Sequence, residues 1–152
     1  MSLRLLQVDN DPDAPFPPVE QALAEPDGLL AFGGDLSPQR LLNAYRHGIF
    51  PWFSDGEPIL WWSPSRRAVF RTDGVRLSSR FRRGLRTSRW VVRADTAFDA
   101  VIGACAHNPR PGQSGGTWIT QGMIQAYARL QRLGDGHGIG VFNGEVQVGG
   151  LH

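Results

Sequence analysis

Glycine and proline interrupt this sequence so often that only short helices and strands can form. Together they account for 30 of the 152 residues, above the average for globular proteins and below the range of low-complexity chains. Proline breaks the interior of helices and sheets, and glycine weakens both. Because 41% of the residues are apolar and 20% are charged, the chain still has enough apolar side chains for a core. The sequence therefore predicts a loop-rich globular fold of one domain, or of two small ones.

Three segments combine the apolar spacing of a helix with favourable capping residues. Serine and threonine are favoured N-caps and glycine is a favoured C-cap, while apolar residues at i, i+3, i+4 and i+7 form one helix face. In the second segment, Asp99 provides a variant of the capping box, and Cys105 falls on the apolar face. The predicted helices run from Ser37-Pro38 to Gly48, from about Thr96 through Cys105, and from Thr120 to Gly134.

Strand signals are shorter and lie in the second half of the chain. Residues 67–70 and 90–93 are rich in residues that favour strands, and 78–86 between them is predicted to be helical. Asn143-Gly144 separates two strand-like runs and is a strong signal for a β-hairpin. Helices and strands are therefore mixed in the second half, and the predicted fold class is α+β.

The net charge of +2 conceals a steep asymmetry along the chain. All 16 basic residues are arginine. Residues 1–65 have a net charge of −6, residues 66–93 a net charge of +9, and residues 94–152 a net charge of −1. The arginine-rich segment, residues 66–93, contains ten arginines and one acid, Asp73. Such a concentration of charge is typical of a protein with a polyanionic partner.

Two interpretations of the arginine-rich segment remain open. It can be a solvated face in a protein whose genome favours arginine codons, or a surface for nucleic acid. Ten arginines against one acid leave little local ion pairing, and the planar guanidinium suits phosphate. These two arguments favour contact with nucleic acid.

Residues 50–64 contain three of the five tryptophans, separated by prolines and a glycine. Aromatic side chains on rigid loops beside a basic segment suit stacking on unpaired bases. The alternative for each tryptophan is that it fills the core of a small domain. A further tryptophan, Trp118, follows Gly115-Gly116 and precedes a predicted helix, where free backbone amides favour an anion.

Several other chemistries find little support in the sequence. The single cysteine excludes an internal disulfide and a cysteine-rich zinc site, and the four histidines lack metal-ligand spacing. Gln131 to Gly136 fits the Q-x-x-G-x-G pattern for coenzyme A, but it ends a helix, which indicates a C-cap and turn. No run approaches the roughly 20 apolar residues of a membrane helix, and the N-terminus lacks the apolar core of a signal peptide. We expect a reduced, cytoplasmic protein with no metal, cofactor or membrane partner.

Five blocks of sequence closely resemble the leucyl/phenylalanyl-tRNA–protein transferase family. They are PDGLLAFGGDLS at 26–37, YRHGIFPWF at 45–53, ILWWSP at 59–64, GTWIT at 116–120 and VGGL at 148–151. The resemblance implies transfer of leucine or phenylalanine, and less well methionine, from aminoacyl-tRNA to the N-terminal arginine or lysine of an acceptor protein. The product is an N-degron that marks the acceptor for degradation. The family fold implied is a small N-terminal domain followed by a GNAT-like acyltransferase domain.

The resemblance also assigns site residues. Trp52 and Trp118 match the tryptophans that hold the 3′-terminal adenosine of the tRNA, and Leu151 matches a residue of the apolar aminoacyl pocket. The arginine-rich segment falls where the family presents basic surface to tRNA. Its expected contacts with the tRNA backbone are Arg66, Arg67, Arg71, Arg76, Arg80, Arg82, Arg83 and Arg86.

Family members continue well past the VGGL block, so we expect an incomplete form whose catalytic groups lie beyond His152. The expected domains are 1–63, a small N-terminal domain, and 64–152, the first part of a GNAT-like domain truncated within its sheet. A non-catalytic module that binds RNA 3′ ends is the alternative function. A coenzyme A acetyltransferase is disfavoured by the context of the Q-x-x-G-x-G pattern.

Overall fold

The computed structural model describes residues 5–71, 73–108 and 117–152. Within those ranges the chain forms a four-stranded sheet, a three-stranded sheet and four α-helices, together with a short 3-10 helix at Val19–Gln21. The mixture of helices and separate sheets agrees with the predicted α+β class.

The first sheet belongs to the N-terminal half. Its strands are β1 (Leu6–Val8), β2 (Leu29–Gly33), β3 (Phe50–Pro51) and β4 (Leu60–Trp62), and helix α1 (Pro38–Arg46) lies between β2 and β3 in sequence. The strand order is β1-β2-β4-β3, with β1 parallel to β2 and the other neighbours antiparallel.

The second sheet is antiparallel and has the order β5-β6-β7. Its strands are β5 (Trp90–Ala94), β6 (Ile139–Asn143) and β7 (Val146–Leu151). Helix α3 packs against β6 and β7, and α4 packs against both α3 and α1. The helices of this half are α2 (Ser79–Thr87), α3 (Phe98–His107) and α4 (Gln121–Leu133).

Three of the four α-helices begin where the sequence indicates. The hydroxyls of Ser37, Ser78 and Thr120 each accept a hydrogen bond from the backbone N–H three residues on, as N-caps do. Gly134 ends α4 with φ 85°, in the left-handed region that glycine adopts without strain. The expected capping box at Thr96 is wrong, since α3 begins at Phe98 without a side-chain cap.

The strand predictions are partly confirmed. Strand β5 and the β6–β7 hairpin form, although the turn residues are Gly144 and Glu145, because Asn143 pairs with Val146 at the end of the ladder. Residues 67–70 form no strand; Val69 and Phe70 are 80% and 90% exposed. A segment with neither a pairing partner nor a buried face gains nothing from strand propensity.

Helix α4 contributes to both apolar clusters of the core. The first cluster lies around the N-terminal sheet and includes Trp61, which is fully buried, with Ala126 and Leu130 of α4. The second cluster lies between α3 and α4 and includes Ile102 and Met123. Each such large side chain contributes about 1.5–3 kcal/mol when fully buried. Helix α4 therefore connects the cluster at the first sheet with the cluster at α3.

Arg40 of α1 is fully buried and has no carboxylate partner in the described residues. Its guanidinium donates hydrogen bonds to the backbone carbonyls of Asp9, Asp11 and Ala14, and it lies 5.6 Å from the ring centroid of Phe16. A buried charge must be satisfied by hydrogen bonds. Arg40 therefore fixes the loop of residues 9–16 on α1.

Among the described residues, no helix is long and apolar enough to cross a membrane.

Candidate functional site

A pocket of about 530 Å³ lies where α1, α3, α4 and the end of β7 meet. Its walls combine aromatic, apolar and titratable side chains, as small-molecule sites do. The lining residues are Leu42, Tyr45, Phe98, Cys105, Trp118, Ile119, Tyr127, Leu130, Asp135, Gly136, His137, Leu151 and His152. A larger groove of about 800 Å³, lined by α4, Ile59 and residues 35–37 ahead of α1, contains none of the predicted site residues.

Two of the predicted site residues, Trp118 and Leu151, line this pocket. Trp118 is half-buried and packs against the second core cluster, and Leu151, at the end of β7, is 69% exposed. Beside it, a Cβ on Gly150 would lie 3.0 Å from the Val101 side chain. Glycine at 150 therefore lets β7 approach α3 closely enough to place Leu151 at the pocket. Gly115 and Gly116, which precede Trp118 in the sequence, lie outside the described residues.

Trp52 is not among the residues that line the pocket. It is 54% exposed, and its ring lies 6.2 Å from that of Trp62, which donates its indole N–H to the Trp52 carbonyl at 2.8 Å. Its neighbour Phe53 packs against the same cluster as Trp118. The Trp52 loop therefore reaches the second core cluster through Phe53, while the Trp52 ring is largely exposed.

The other two tryptophans of residues 50–64 have structural contacts. Trp61 is fully buried and donates its indole N–H to the carbonyl of Gly33 at 2.9 Å. Core filling, the alternative for each tryptophan, is therefore correct for Trp61. Buried indole N–H groups require such a partner.

Sequence reasoning missed two tyrosines of the pocket. Tyr45 and Tyr127 join their hydroxyls in a hydrogen bond across α1 and α4. Burial raises the pKa of Tyr127, and the nearby Tyr45 adds to the effect; burial also raises the pKa of Tyr45, which keeps 45% of its surface exposed. Both hydroxyls therefore stay protonated over the physiological range, and one of them donates its proton to the other. The one sequence signal that could have drawn attention to Tyr127 is its hydroxyl on the apolar face of α4, and that signal does not indicate the partner Tyr45.

A histidine and an aspartate lie at the rim of the pocket. His137 lines it, and its Nδ1 lies 2.8 Å from an oxygen of Asp95. The other Asp95 oxygen accepts the Gly138 N–H at 2.8 Å. These hydrogen bonds hold the pKa of Asp95 below its usual range, the Gly138 bond having the larger effect. From the sequence, His137 has no metal-ligand spacing and belongs to no convincing Ser-His-Asp or Cys-His arrangement.

The arginine-rich segment is exposed along almost its whole described length. Helix α2 buries no residue, and Arg80, Arg82, Arg83 and Arg86 all face solvent on it. The exposed Arg66 and Arg76 flank that helix on its N-terminal side. The sequence thus produces an exposed basic surface outside the pocket.

Two of the eight predicted arginines already have protein partners. Arg71 pairs with Asp73 at 2.7 Å on a fully exposed surface. Arg67 donates to the carbonyl of Gly48 and lies 5.2 Å from the ring centroid of Phe50. Arg67 therefore helps to fix the segment on the first sheet.

Apolar side chains are exposed among these arginines. Phe81, Leu85 and Trp90 are 54%, 51% and 60% exposed, and they line a groove of about 570 Å³ between α2 and β5. No pattern in the sequence indicated this groove.

The sequence favoured neither a coenzyme A loop at residues 131–136 nor a metal site. Gly134 is a left-handed C-cap whose N–H donates back to α4, so residues 131–136 form a helix end, as the sequence context indicated. Within the described ranges, no group of three or more His, Cys, Asp or Glu residues is placed to hold a metal ion.

Family comparisons match most of the chain. Residues 34–65 match the family described as leucyl/phenylalanyl-tRNA protein transferase N-terminal domain, and residues 69–152 match the family described as leucyl/phenylalanyl-tRNA protein transferase.

Curated relatives are similar over nearly the same range. A leucyl/phenylalanyl-tRNA–protein transferase of Xanthomonas oryzae pv. oryzae is 72% identical over 139 residues, which is 91% of this chain and 55% of the relative. Relatives of the same name from Xanthomonas campestris pv. campestris and Xylella fastidiosa are 67% and 62% identical, over 93% of this chain and 57% and 58% of their own lengths. The chain spans little more than half the length of these relatives.

Proposed function

The chain belongs to the leucyl/phenylalanyl-tRNA–protein transferase family, and we propose that it binds the aminoacyl end of tRNA for transfer of the amino acid to a protein. The donor is leucyl- or phenylalanyl-tRNA, with methionyl-tRNA used less well, and the acceptor is the N-terminal arginine or lysine of a protein. One observation carries the proposal: Trp118 and Leu151, far apart in sequence, line the same pocket.

The pocket suits the two chemical parts of an aminoacyl-adenosine. Trp118 offers an aromatic face for the 3′-terminal adenine, worth about 1–3 kcal/mol per stacked base, and the exposed ring of Trp52 is the proposed second face. Leu151, with Phe98 and Ile119 beside it, offers an apolar wall for a leucine or phenylalanine side chain. No cofactor or metal is required by this arrangement.

The exposed arginines are the proposed contacts for the tRNA backbone. Among the described residues, none forms a hydrogen bond or ion pair with the side chains of Arg66, Arg76 or the four arginines of α2. Phosphates can therefore replace water at these guanidiniums without breaking an internal ion pair. Arg67 and Arg71 are proposed as weaker contacts, because each would first give up a protein partner.

The proposed chemistry is aminolysis of an ester. The neutral α-amine of the acceptor attacks the aminoacyl carbonyl, and the ribose oxygen leaves. An aminoacyl ester is already activated, so orienting the two reactants can provide much of the acceleration. We further propose that the product is an N-degron, that the reaction takes place in the cytoplasm, and that further catalytic groups lie in the part that longer relatives possess.

The proposed organisation has a small N-terminal domain at 1–63 and a GNAT-like acyltransferase unit from residue 64. The order of elements from α2 to β7, with an antiparallel sheet covered by α3, supports this proposal.

The test is transfer of radiolabelled phenylalanine from charged tRNA to a peptide with N-terminal arginine. The same peptide acetylated at its N-terminus is the control, because it lacks the nucleophile. We expect labelling of the free peptide only. Leu151→Asp should reduce labelling at limiting tRNA at least tenfold, since it places a carboxylate in the apolar wall. Leu133→Asp, a matched change at a leucine that is 62% exposed outside the pocket, should have no effect.

A non-catalytic module for RNA 3′ ends is the second candidate. It is favoured by the exposed ring of Trp52 and by the solvent-facing arginines of α2, which suit RNA binding without requiring any chemistry. Binding of charged tRNA without any peptide labelling supports this second candidate. Absence of both binding and labelling contradicts both.

A further inference from the structure

A carboxylate holds His137, which is one of two histidines among the described residues that line the pocket, the other being His152. Asp95 Oδ2 lies 2.8 Å from Nδ1 of His137, and Asp95 Oδ1 accepts the N–H of Gly138 at 2.8 Å. The Asp95 N–H in turn donates to the Gly138 carbonyl at 2.7 Å. Three hydrogen bonds therefore fix the end of β5 on the two residues that precede β6.

The backbone is sterically constrained at both Asp95 and Gly138. Asp95 has φ 58°, the single positive φ outside glycine in the described residues, and aspartate and asparagine tolerate this region better than most residues do. A Cβ on Gly138 would lie 2.9 Å from the Phe98 ring, so glycine lets the chain pass directly over Phe98. Phe98 and His137 both line the pocket that contains Trp118 and Leu151.

The hydrogen bond at Nδ1 decides what the other ring nitrogen does. An ionised carboxylate only accepts, so Nδ1 of neutral His137 carries the proton and Nε2 presents its lone pair. A histidine oriented by an aspartate in this way is the usual arrangement of a base that receives a proton during acyl transfer. Nothing in the pocket's proposed binding of adenosine and side chain requires such a pair.

We propose that His137 is the proton acceptor of the aminoacyl transfer and that Asp95 is its positioning residue. This inference rests on the proposed function. The neutral α-amine forms the new C–N bond, and its surplus proton passes to Nε2 of His137. As the C–O bond to ribose breaks, the imidazolium returns a proton to the ribose oxygen, so that an amide and a free hydroxyl result and His137 is neutral again.

Other titratable groups share the pocket and contribute to any pH profile. They belong to α1, α3, α4, the loop after α4 and the end of β7: Tyr45, Cys105, Tyr127, Asp135 and His152. A pH profile of the wild type alone therefore does not identify His137. Chemical rescue of a truncated side chain does, because it restores the imidazole itself.

The first experiment measures phenylalanine transfer by His137→Ala at saturating tRNA and peptide. We expect kcat to fall by about 10²–10³-fold, in the range for loss of a general base, while KM for the charged tRNA changes less than about twofold. Added imidazole should restore at least about a tenth of the lost kcat. Asparagine, like aspartate, tolerates the positive φ at position 95, so Asp95→Asn should keep the backbone. Its amide N–H donates to Nδ1, which moves the ring proton to Nε2. We expect a similar fall in kcat that added imidazole does not restore.

The matched control is His107→Gln, at an exposed histidine whose Nδ1 contacts the Gly103 carbonyl at 2.8 Å and which does not line the pocket. Its kcat should equal that of the wild type. If His137→Ala keeps kcat within about threefold, or loses it without any rescue by imidazole, the assignment is overturned while the proposed function stands.

The second experiment does not depend on turnover. ¹⁵N spectra of the histidine side chains should show His137 protonated at Nδ1 and bare at Nε2 at pH 8, and Asp95→Asn should reverse this. The probe 3′-deoxy-3′-(phenylalanylamino)adenosine should shift the His137 Nε2 resonance. Binding of the probe without that shift overturns the role of His137 alone. If the wild type neither binds the probe nor transfers phenylalanine, the proposed function fails and the role of His137 fails with it.

Discussion

Replacement of Arg40 by methionine tests how the N-terminal loop is fixed on the fold. The guanidinium is fully buried and reaches the carbonyls of Asp9, Asp11 and Ala14, the first and last at 2.6 and 3.2 Å. Methionine keeps an unbranched apolar side chain beside Phe16 but removes all five N–H donors. The variant therefore isolates the hydrogen bonds from most of the packing.

The expected loss is smaller than the sum of the bonds. A hydrogen bond to a charged group contributes about 1.5–3 kcal/mol, so three such bonds set an upper range of several kcal/mol. Two terms oppose this loss: desolvation of the guanidinium is relieved, and the exposed segment around Asp9 and Asp11 can regain water. We expect the free energy of unfolding to fall by about 2–4 kcal/mol, less than the sum of the three bonds because of these two opposing terms.

Urea denaturation followed by tryptophan fluorescence measures the change. With an m-value of about 2 kcal/mol/M, a loss of 3 kcal/mol lowers the midpoint by about 1.5 M. Arg40→Lys should fall between wild type and Arg40→Met, because one ammonium cannot span three carbonyls. Arg46→Ala, at an exposed arginine on the same helix, should change the free energy by less than about 0.5 kcal/mol. A loss below about 0.5 kcal/mol in Arg40→Met refutes the reasoning.

Three further predictions concern the pocket and the basic surface. Burial raises the folded-state pKa of Tyr127, so the stability that its protonated hydroxyl contributes is complete below about pH 10 and is lost above that, at up to about 1.4 kcal/mol per pH unit. Urea titrations at pH 9 and pH 11 should show that the free energy of unfolding falls less with pH in Tyr127→Phe than in the wild type. An equal fall in both proteins would contradict this. Gly150→Ala should cost about 1–3 kcal/mol by the same assay, since the added methyl meets Val101 at 3.0 Å; a neutral result would mean that β7 is free to move. Arg82→Ala with Arg83→Ala should weaken tRNA binding and reduce the salt slope, d log K/d log[salt], by about 1.4–1.8, whereas the double alanine variant of the two α4 arginines should not; an unchanged slope excludes α2 from the tRNA surface.

Local capping chemistry made several elements predictable. Ser37, Thr120 and Gly134 mark helix ends because their side chains or backbone freedom satisfy the terminal amides and carbonyls, which is a property of neighbouring residues alone. The β6–β7 hairpin was predictable for the same reason, and only its turn shifted by one residue.

The first sheet was harder to predict from the sequence. Strands β2 and β4 pair with each other across about 30 residues of chain, and their apolar residues do not alternate regularly with polar ones. Which tryptophan of residues 50–64 is buried depends on that pairing, and Trp61 is enclosed between β2 and β3. Long-range pairing of this kind leaves no local signature.

Some residues of the candidate site could be named from the sequence, and others only from the structure. The residues Trp52, Trp118 and Leu151 came from a family resemblance, and the structure brings the last two together. Tyr45, Tyr127 and the Asp95–His137 pair came only from three-dimensional contacts. Each of these contacts joins residues more than 40 positions apart, so no spacing rule could have predicted it.

The central claim is that the pocket recognises the aminoacyl group at the end of tRNA, and the ratio of two dissociation constants tests it most directly. One constant is for tRNA ending in amide-linked phenylalanine, which does not hydrolyse, and the other is for the same tRNA without an amino acid. Burial of a phenylalanine side chain contributes about 1.5–3 kcal/mol, so the account predicts that the charged tRNA binds about 10- to 100-fold more tightly. Equal dissociation constants for the two tRNAs would contradict the account.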